Sequence, residues 1–139
     1  MTVPIRRRAR ELAMQAMYQS EISGETVEEA FLALKENFQA NKRAIPYALE
    51  LMAGVKESQV EIDQLISEHS KNWRLERMAV VDRNILRVAV FEFLKKQQDV
   101  PASVVINEAL EVAVRYSDED ASPFINGILD SMKNALGLD

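Results

Sequence analysis

The chain has 139 residues, which is most simply one domain able to bury about two thirds of its unfolded surface in a single core. It contains no cysteine, which excludes disulfides and thiolate chemistry, removes the best metal ligands and fits a reducing cytoplasm. The formal charge is −5 with a pI near 5.0, yet residues 1–10 alone carry +4, which leaves −9 on the rest and argues against coating duplex DNA by bulk charge. Any nucleic-acid site must therefore be a local basic patch. No continuous apolar stretch follows the basic start, and no run approaches the ~18 residues of a membrane crossing, so the expectation is a soluble cytoplasmic protein with no membrane partner.

Only four Gly and four Pro punctuate the sequence, and between them apolar residues recur three and four apart, so an all-α fold is predicted. The first helix is expected from about Pro4 to Ser20, with a stop near Gly24. "TVEE" at Thr26 to Glu29 reads as a capping box that opens a second helix running to Phe38. Asn41 is the expected cap of a third, whose apolar residues are Ile45, Leu49, Met52 and Val55. A fourth carries Val60 or Ile62, then Leu65 and Ile66, toward Trp73, with Gly54 and Ser58 blurring the boundary.

From about Val81 to Lys96, the residues Ile85, Leu86, Val88 to Phe91, Phe93 and Leu94 cover nearly the whole helix circumference, which places this helix at the centre. "DVP" at Asp99 to Pro101 breaks the chain and restarts it as a helix to Tyr116. Ser122 as N-cap and Pro123 at the first helical position open the last helix, which carries Phe124, Ile125, Ile128, Leu129, Met132 and Leu136. About seven helices result, with no internal repeat or linker to mark a second domain, although they could pack as two sub-bundles.

Little here suggests catalysis. His69 is the only histidine and lies in a polar helix end, with no partner at metal-ligand spacing. The four glycines, at 24, 54, 127 and 137, are too scattered for a phosphate-cradling loop. Acid pairs such as Glu28 and Glu29 read as solvated faces or partners of the helix dipole. No enzyme, metal site or cofactor is expected.

The basic start, "RRRARELAMQAMYQ", then carries the functional question. On a helix, Ile5, Ala9, Leu12, Ala13, Ala16 and Met17 gather into a packing face. Arg7, Glu11, Met14 and Tyr18 form a different stripe, read as pointing outward, with Arg6 and Arg10 at the edge of the packed face. Guanidiniums near an exposed ring suit single-stranded RNA, because arginine neutralises phosphate while an aromatic stacks on a base. The alternative is a tyrosine packed on a neighbouring helix and arginines that only solvate a helix end. Three or four phosphate contacts give a modest salt slope, about −0.7 per contact on a single strand, so a second protein adding its own basic surface is more plausible than a solitary reader.

Four segments, "RRRARELAMQAMYQ", "VDRNILRVAVFEF", "DVPASVVINEALEVAVRYS" and "FINGILD", stand in an order and at a spacing that resembles the NusB family of transcription antitermination factors over nearly the whole chain. The resemblance implies an all-α fold of two small helical sub-bundles. It also implies a non-enzymatic factor that pairs with the small-subunit ribosomal protein NusE, binds the boxA RNA element as a single strand, and serves the RNA polymerase antitermination complex in ribosomal RNA transcription.

Carried over by position, Arg6, Arg7, Arg8 and Arg10 match the arginine-rich start whose implied role is RNA contact. Phe124 matches the aromatic of "FING", implied to touch RNA at the last helix N-terminus. Tyr18 is implied to lie at the NusE surface. Asp82 stands where the family carries an acid, implied to contact the basic partner, and it reads equally as an N-cap of the central helix. Glu108 in "INEA" is expected to pair with a buried arginine rather than to act in binding.

Some family members carry a basic residue before the phenylalanine, whereas Pro123 stands here. Asp118, Glu119 and Asp120 place three negative charges near the RNA path, or simply form an acidic loop before a helix. Asp120 is accordingly expected to oppose RNA. Two other readings stand beside this one. A related domain begins some ribosomal RNA cytosine methyltransferases, which would require a second domain with a cofactor motif. A protein-only helical module or homodimer would leave the arginines off RNA.

Overall fold

The computed structural model describes residues 4–37, 41–71 and 74–138. Among the described residues there are seven α-helices, two short 3-10 turns and no strand: α1 (Ile5–Ser23), α2 (Val27–Asn37), α3 (Ile45–Glu57), α4 (Gln59–His69), α5 (Val80–Lys95), α6 (Ala102–Tyr116) and α7 (Ala121–Ala135), with the turns at Lys42–Ala44 and Leu75–Arg77. The expected ends at Phe38 and Trp73 lie outside the described residues.

Local chemistry explains most boundaries. α1 ends where Gly24 takes a left-handed φ of 82° and donates its N–H to the Ser20 carbonyl. The capping box forms as read, with Glu29 N–H donating to Thr26 Oγ1 and Thr26 N–H donating to the Glu29 carboxylate, both at 3.1 Å. Asn41 accepts from the Arg43 N–H at 2.9 Å and so caps the 3-10 turn that leads into α3.

Some expectations are corrected. Leu49 is about half exposed, and α3 buries Tyr47, Ala48, Leu51, Met52 and Val55 instead. Of the two alternatives in α4, Ile62 is buried and Val60 is not. Ser122 is not the N-cap of α7. Asp120 already holds helical angles and the Ala121 N–H donates to Asp118 O, so the helix begins two residues earlier and Pro123 falls within its first turn, where a missing N–H leaves no bond broken. Leu136 lies just past the end of α7 and is partly exposed.

The long apolar circumference of α5 is buried as its sequence requires. It packs against α1, α3, α4, α6 and α7, so the α1–α3 group and the α4–α7 group share one continuous core through it. One close approach fixes the α3–α5 contact: a Cβ on Gly54 would lie 2.1 Å from Phe91 Cε1, so only a hydrogen fits beneath that ring. Packing of α1 on α5 and α6 then sets where the arginines sit.

Candidate nucleic-acid interface

The arginines occupy the first turns of α1, and every one of them meets a carboxylate brought from elsewhere in the fold or along the helix. Arg6 donates to Asp99 at 2.7 Å, and its guanidinium lies 4.5 Å from the centre of the Tyr47 ring. Arg7 forms a fork on Glu108 of α6, at 3.1 and 2.7 Å. Arg8 donates to Glu11 at 2.8 Å. Arg10 forms a fork on Glu92 of α5, at 2.9 Å for both bonds, and reaches Glu108 at 3.2 Å.

The outward stripe is corrected. Arg10, Glu11 and Met14 are all buried, and Tyr18 is partly buried against the core. Arg10 therefore leaves the surface set, because its guanidinium is committed to two carboxylates inside the α1–α5–α6 contact. Bundle packing claims a wider arc of α1 than its apolar residues alone predict, since α5 and α6 supply the acids that make a buried arginine tolerable. Glu108 pairs with Arg10 as expected, and with Arg7 as well. The hydrogen bond from Arg7 holds its carboxyl below the usual glutamate range, with burial opposing. Tyr47 donates to Glu92 at 2.5 Å, and burial together with that bond pushes its hydroxyl well above the ordinary tyrosine range, so it stays a donor.

Accessible charge remains on Arg6, Arg7 and Arg8, whose side chains are 44%, 26% and 24% exposed. A fourth surface guanidinium comes from α6: Arg115, 46% exposed, donates to Glu11 at 2.9 Å across 104 positions of sequence. The sequence reading missed it, although its place in the last turn of the helix, next to Tyr116, is an available signal.

At this same end of α6, the C-cap Ser117 donates to Asp82 at 2.5 Å. Asp82 is the third residue of α5 and Ala79 precedes the helix, so Asp82 is not its N-cap. Asp82, Asp118, Asp120 and Phe124, together with Arg77 and Met78, line one open groove of about 400 Å³. Three acids against one cation along these walls make the groove suit a basic partner better than phosphate. The structure thus brings Asp82, Asp120 and Phe124 together. The last turn of α6, with Arg115 at Glu11 and Ser117 at Asp82, joins that groove to the arginine end. Tyr18 lies farther along α1 and does not line the groove.

A second charged cluster also escaped the sequence reading. Glu21 near the end of α1 accepts from Arg83, from Asn84 at 3.0 Å and from Arg87 at 2.5 Å, while Arg87 also forms a fork on Asp63 of α4. Burial pushes the Glu21 carboxyl up, but the bonds from Arg83 and Asn84 and the charge of Arg87 outweigh it and hold the group below its ordinary value. The available signal was the presence of Asn84, Arg87 and Glu92 on a helix that is apolar nearly all round, since such residues are buried only with partners. His69 Nδ1 lies 2.9 Å from Ser131 Oγ, which ties α4 to α7. Among the described residues no group of three or more His, Asp or Glu could hold a metal, and no helix is long and apolar enough to cross a membrane.

A sequence model of the NusB family matches residues 7–134. The chain is 45% identical over 135 residues to the transcription antitermination protein NusB of Myxococcus xanthus, covering 94% of this chain and 96% of that protein. It is 42% identical over 131 residues to that of Bacillus cereus strain B4264, covering 94% and 98%. Among solved structures it is similar to NusB of T. maritima, with a TM-score of 0.84 at 38% identity over 96% of this chain and 93% of that one. It is also similar to a chain in the crystal structure of antitermination factors NusB and NusE in complex with dsRNA, with a TM-score of 0.83 at 30% identity over 96% and 99%.

Proposed function

Because the chain belongs to the NusB family, we propose that it is a transcription antitermination factor that binds boxA RNA together with the ribosomal protein NusE. It acts without catalysis, as one domain spanning residues 1–139, in the cytoplasm, within the RNA polymerase antitermination complex that transcribes ribosomal RNA.

The observation that carries this reading is the guanidinium surface at the start of α1, where Arg6, Arg7 and Arg8 remain partly exposed although each is oriented by a carboxylate. The Arg6–Asp99 pair is exposed, and such pairs contribute only about 0–1 kcal/mol, so a phosphate can replace Asp99 with little loss, whereas Arg7 and Arg8 keep their buried carboxylates and would meet phosphate with further N–H donors. Phe124 offers a ring beside the α7 N-terminus, where backbone N–H groups favour an anion. The three acids of the neighbouring groove disfavour RNA and favour a basic protein, which supports reading Asp82 as a contact to NusE and Asp120 as a brake on RNA. Tyr18, partly buried on α1, is assigned to the NusE surface by its match to the family motif.

Fluorescence anisotropy of a short single-stranded boxA RNA, with and without NusE and at two salt concentrations, tests the reading. Weak binding by the chain alone, strengthened by NusE and falling with a log–log salt slope of about −2 for three phosphate contacts, is the expected result. No RNA binding in either case, with NusE shown to be folded, would leave a protein-only module or homodimer.

A further inference from the structure

The carboxylates do not neutralise the surface arginines evenly. Arg6 has Asp99, and Arg7 has Glu108 with Glu111 at 3.9 Å. Arg8 and Arg115, in contrast, share the single carboxylate of Glu11: Arg8 Nη1 donates to one oxygen at 2.8 Å and Arg115 Nη1 to the other at 2.9 Å. Glu11 is wholly buried, so it is fixed beneath both guanidiniums and leaves a surplus of one positive charge above it. Each guanidinium carries five donors, and Tyr116, which bonds Arg8 and whose ring centre lies 5.8 Å from the Arg115 guanidinium, takes only part of that capacity, so N–H groups remain to serve a second anion without breaking either bond to Glu11.

We propose that Arg115 is an RNA-binding residue and that, with Arg8, it forms a clamp for one backbone phosphate. The clamp rests on the RNA-binding function proposed above. Its position gives it a direction as well as a charge. Arg115 lies in the last turn of α6, two residues before the Ser117 that bonds Asp82 at the wall of the Phe124 groove. A strand held by Arg6 and Arg7 at the start of α1 therefore reaches Phe124 by way of Arg115. Glu11 orients both arginines in advance, which reduces the side-chain entropy lost when phosphate binds. Glu11 is a positioning residue.

The test compares the wild-type chain with Arg115→Gln, Arg115→Lys and, as a charge-matched control, Lys56→Gln. Lys56 is on α3, paired with Glu28 on α2 and well exposed. Anisotropy is read with boxA RNA in the presence of NusE across a salt series. Arg115→Gln is expected to weaken binding about three- to tenfold at low salt and to reduce the magnitude of the salt slope by about 0.7, the contribution of one phosphate. Arg115→Lys keeps the slope, and Lys56→Gln keeps both affinity and slope.

Equal losses in Arg115→Gln and Lys56→Gln would overturn the clamp in favour of bulk charge, and wild-type affinity in Arg115→Gln would overturn it outright. Inorganic phosphate at matched ionic strength should compete no better than chloride; competition specific to phosphate would assign the site to the free ion instead. Absence of RNA binding by the wild-type chain would overturn the functional reading and the clamp with it, whereas wild-type binding without an Arg115 effect overturns the clamp alone.

Discussion

Arg10 and Glu92, 82 positions apart, meet through two parallel N–H···O bonds in the buried contact between α1 and α5. Removing one member of such a pair strands the other charge and typically destabilises by about 3–5 kcal/mol. Arg10→Met and Glu92→Met should each show a loss of that order in urea unfolding. The double variant should lose less than the sum, because no unpaired partner of this bond remains. Strict additivity would show that the two side chains do not stabilise each other.

Asp99 should hold Arg6 back from RNA. Both side chains are about half exposed, and the Arg6 hydrogen bond keeps the Asp99 carboxyl below its ordinary range. Asp99→Asn is expected to tighten boxA binding up to about fivefold at low salt, the most an exposed pair is worth. The gain should disappear in an Arg6→Gln background; if it persists there, Asp99 does not act through Arg6.

Asp120 contributes one of the charges beside Phe124. At a separation of about 7 Å in water two unit charges interact by about 0.6 kcal/mol, so Asp120→Asn should strengthen RNA binding about threefold. The effect should shrink as salt rises, because the residue is exposed. Affinity unchanged at both low and moderate salt would remove Asp120 from the RNA path.

Gly54 sits within α3, where helix propensity alone makes Gly→Ala favourable by about 1 kcal/mol. The Phe91 ring reverses the sign: with a Cβ at 2.1 Å from Cε1, Gly54→Ala must push α3 and α5 apart or turn the ring, at a cost of about 1–3 kcal/mol. A lower urea midpoint for Gly54→Ala, recovered when Phe91→Leu is added, is the expected pattern. A rise in the single variant would show that propensity dominates.

The carboxyl of Glu108, held low by Arg7, makes stability depend on acid. Its folded-state value lies below the unfolded reference of 4.5, so its contribution is fully present above that reference and is lost as pH falls through the folded value. Thermal unfolding followed downward from pH 6 should show this loss, and Glu108→Gln should flatten that part of the curve while lowering stability near neutrality. Parallel curves for the two proteins would exclude Glu108 as a source of the acid response.

What the sequence by itself determined was local or periodic. The Thr26–Glu29 box, the stop at Gly24, the break at "DVP" and the all-round apolar pattern that centres α5 each depend on neighbours within a turn or two, and each is found in the structure. The family was legible too, from four segments in order.

Tertiary structure alone decided the fate of the charges. Arg10 and Arg8 carry the same side chain two positions apart, yet Glu92 and Glu108 draw Arg10 inside, while Glu11 leaves Arg8 at the surface beside an Arg115 contributed by α6. Periodicity reports which residues avoid water, but a buried ion pair depends on an opposite charge arriving from a distant part of the chain. That arrival is fixed by how the helices pack, which no local window contains.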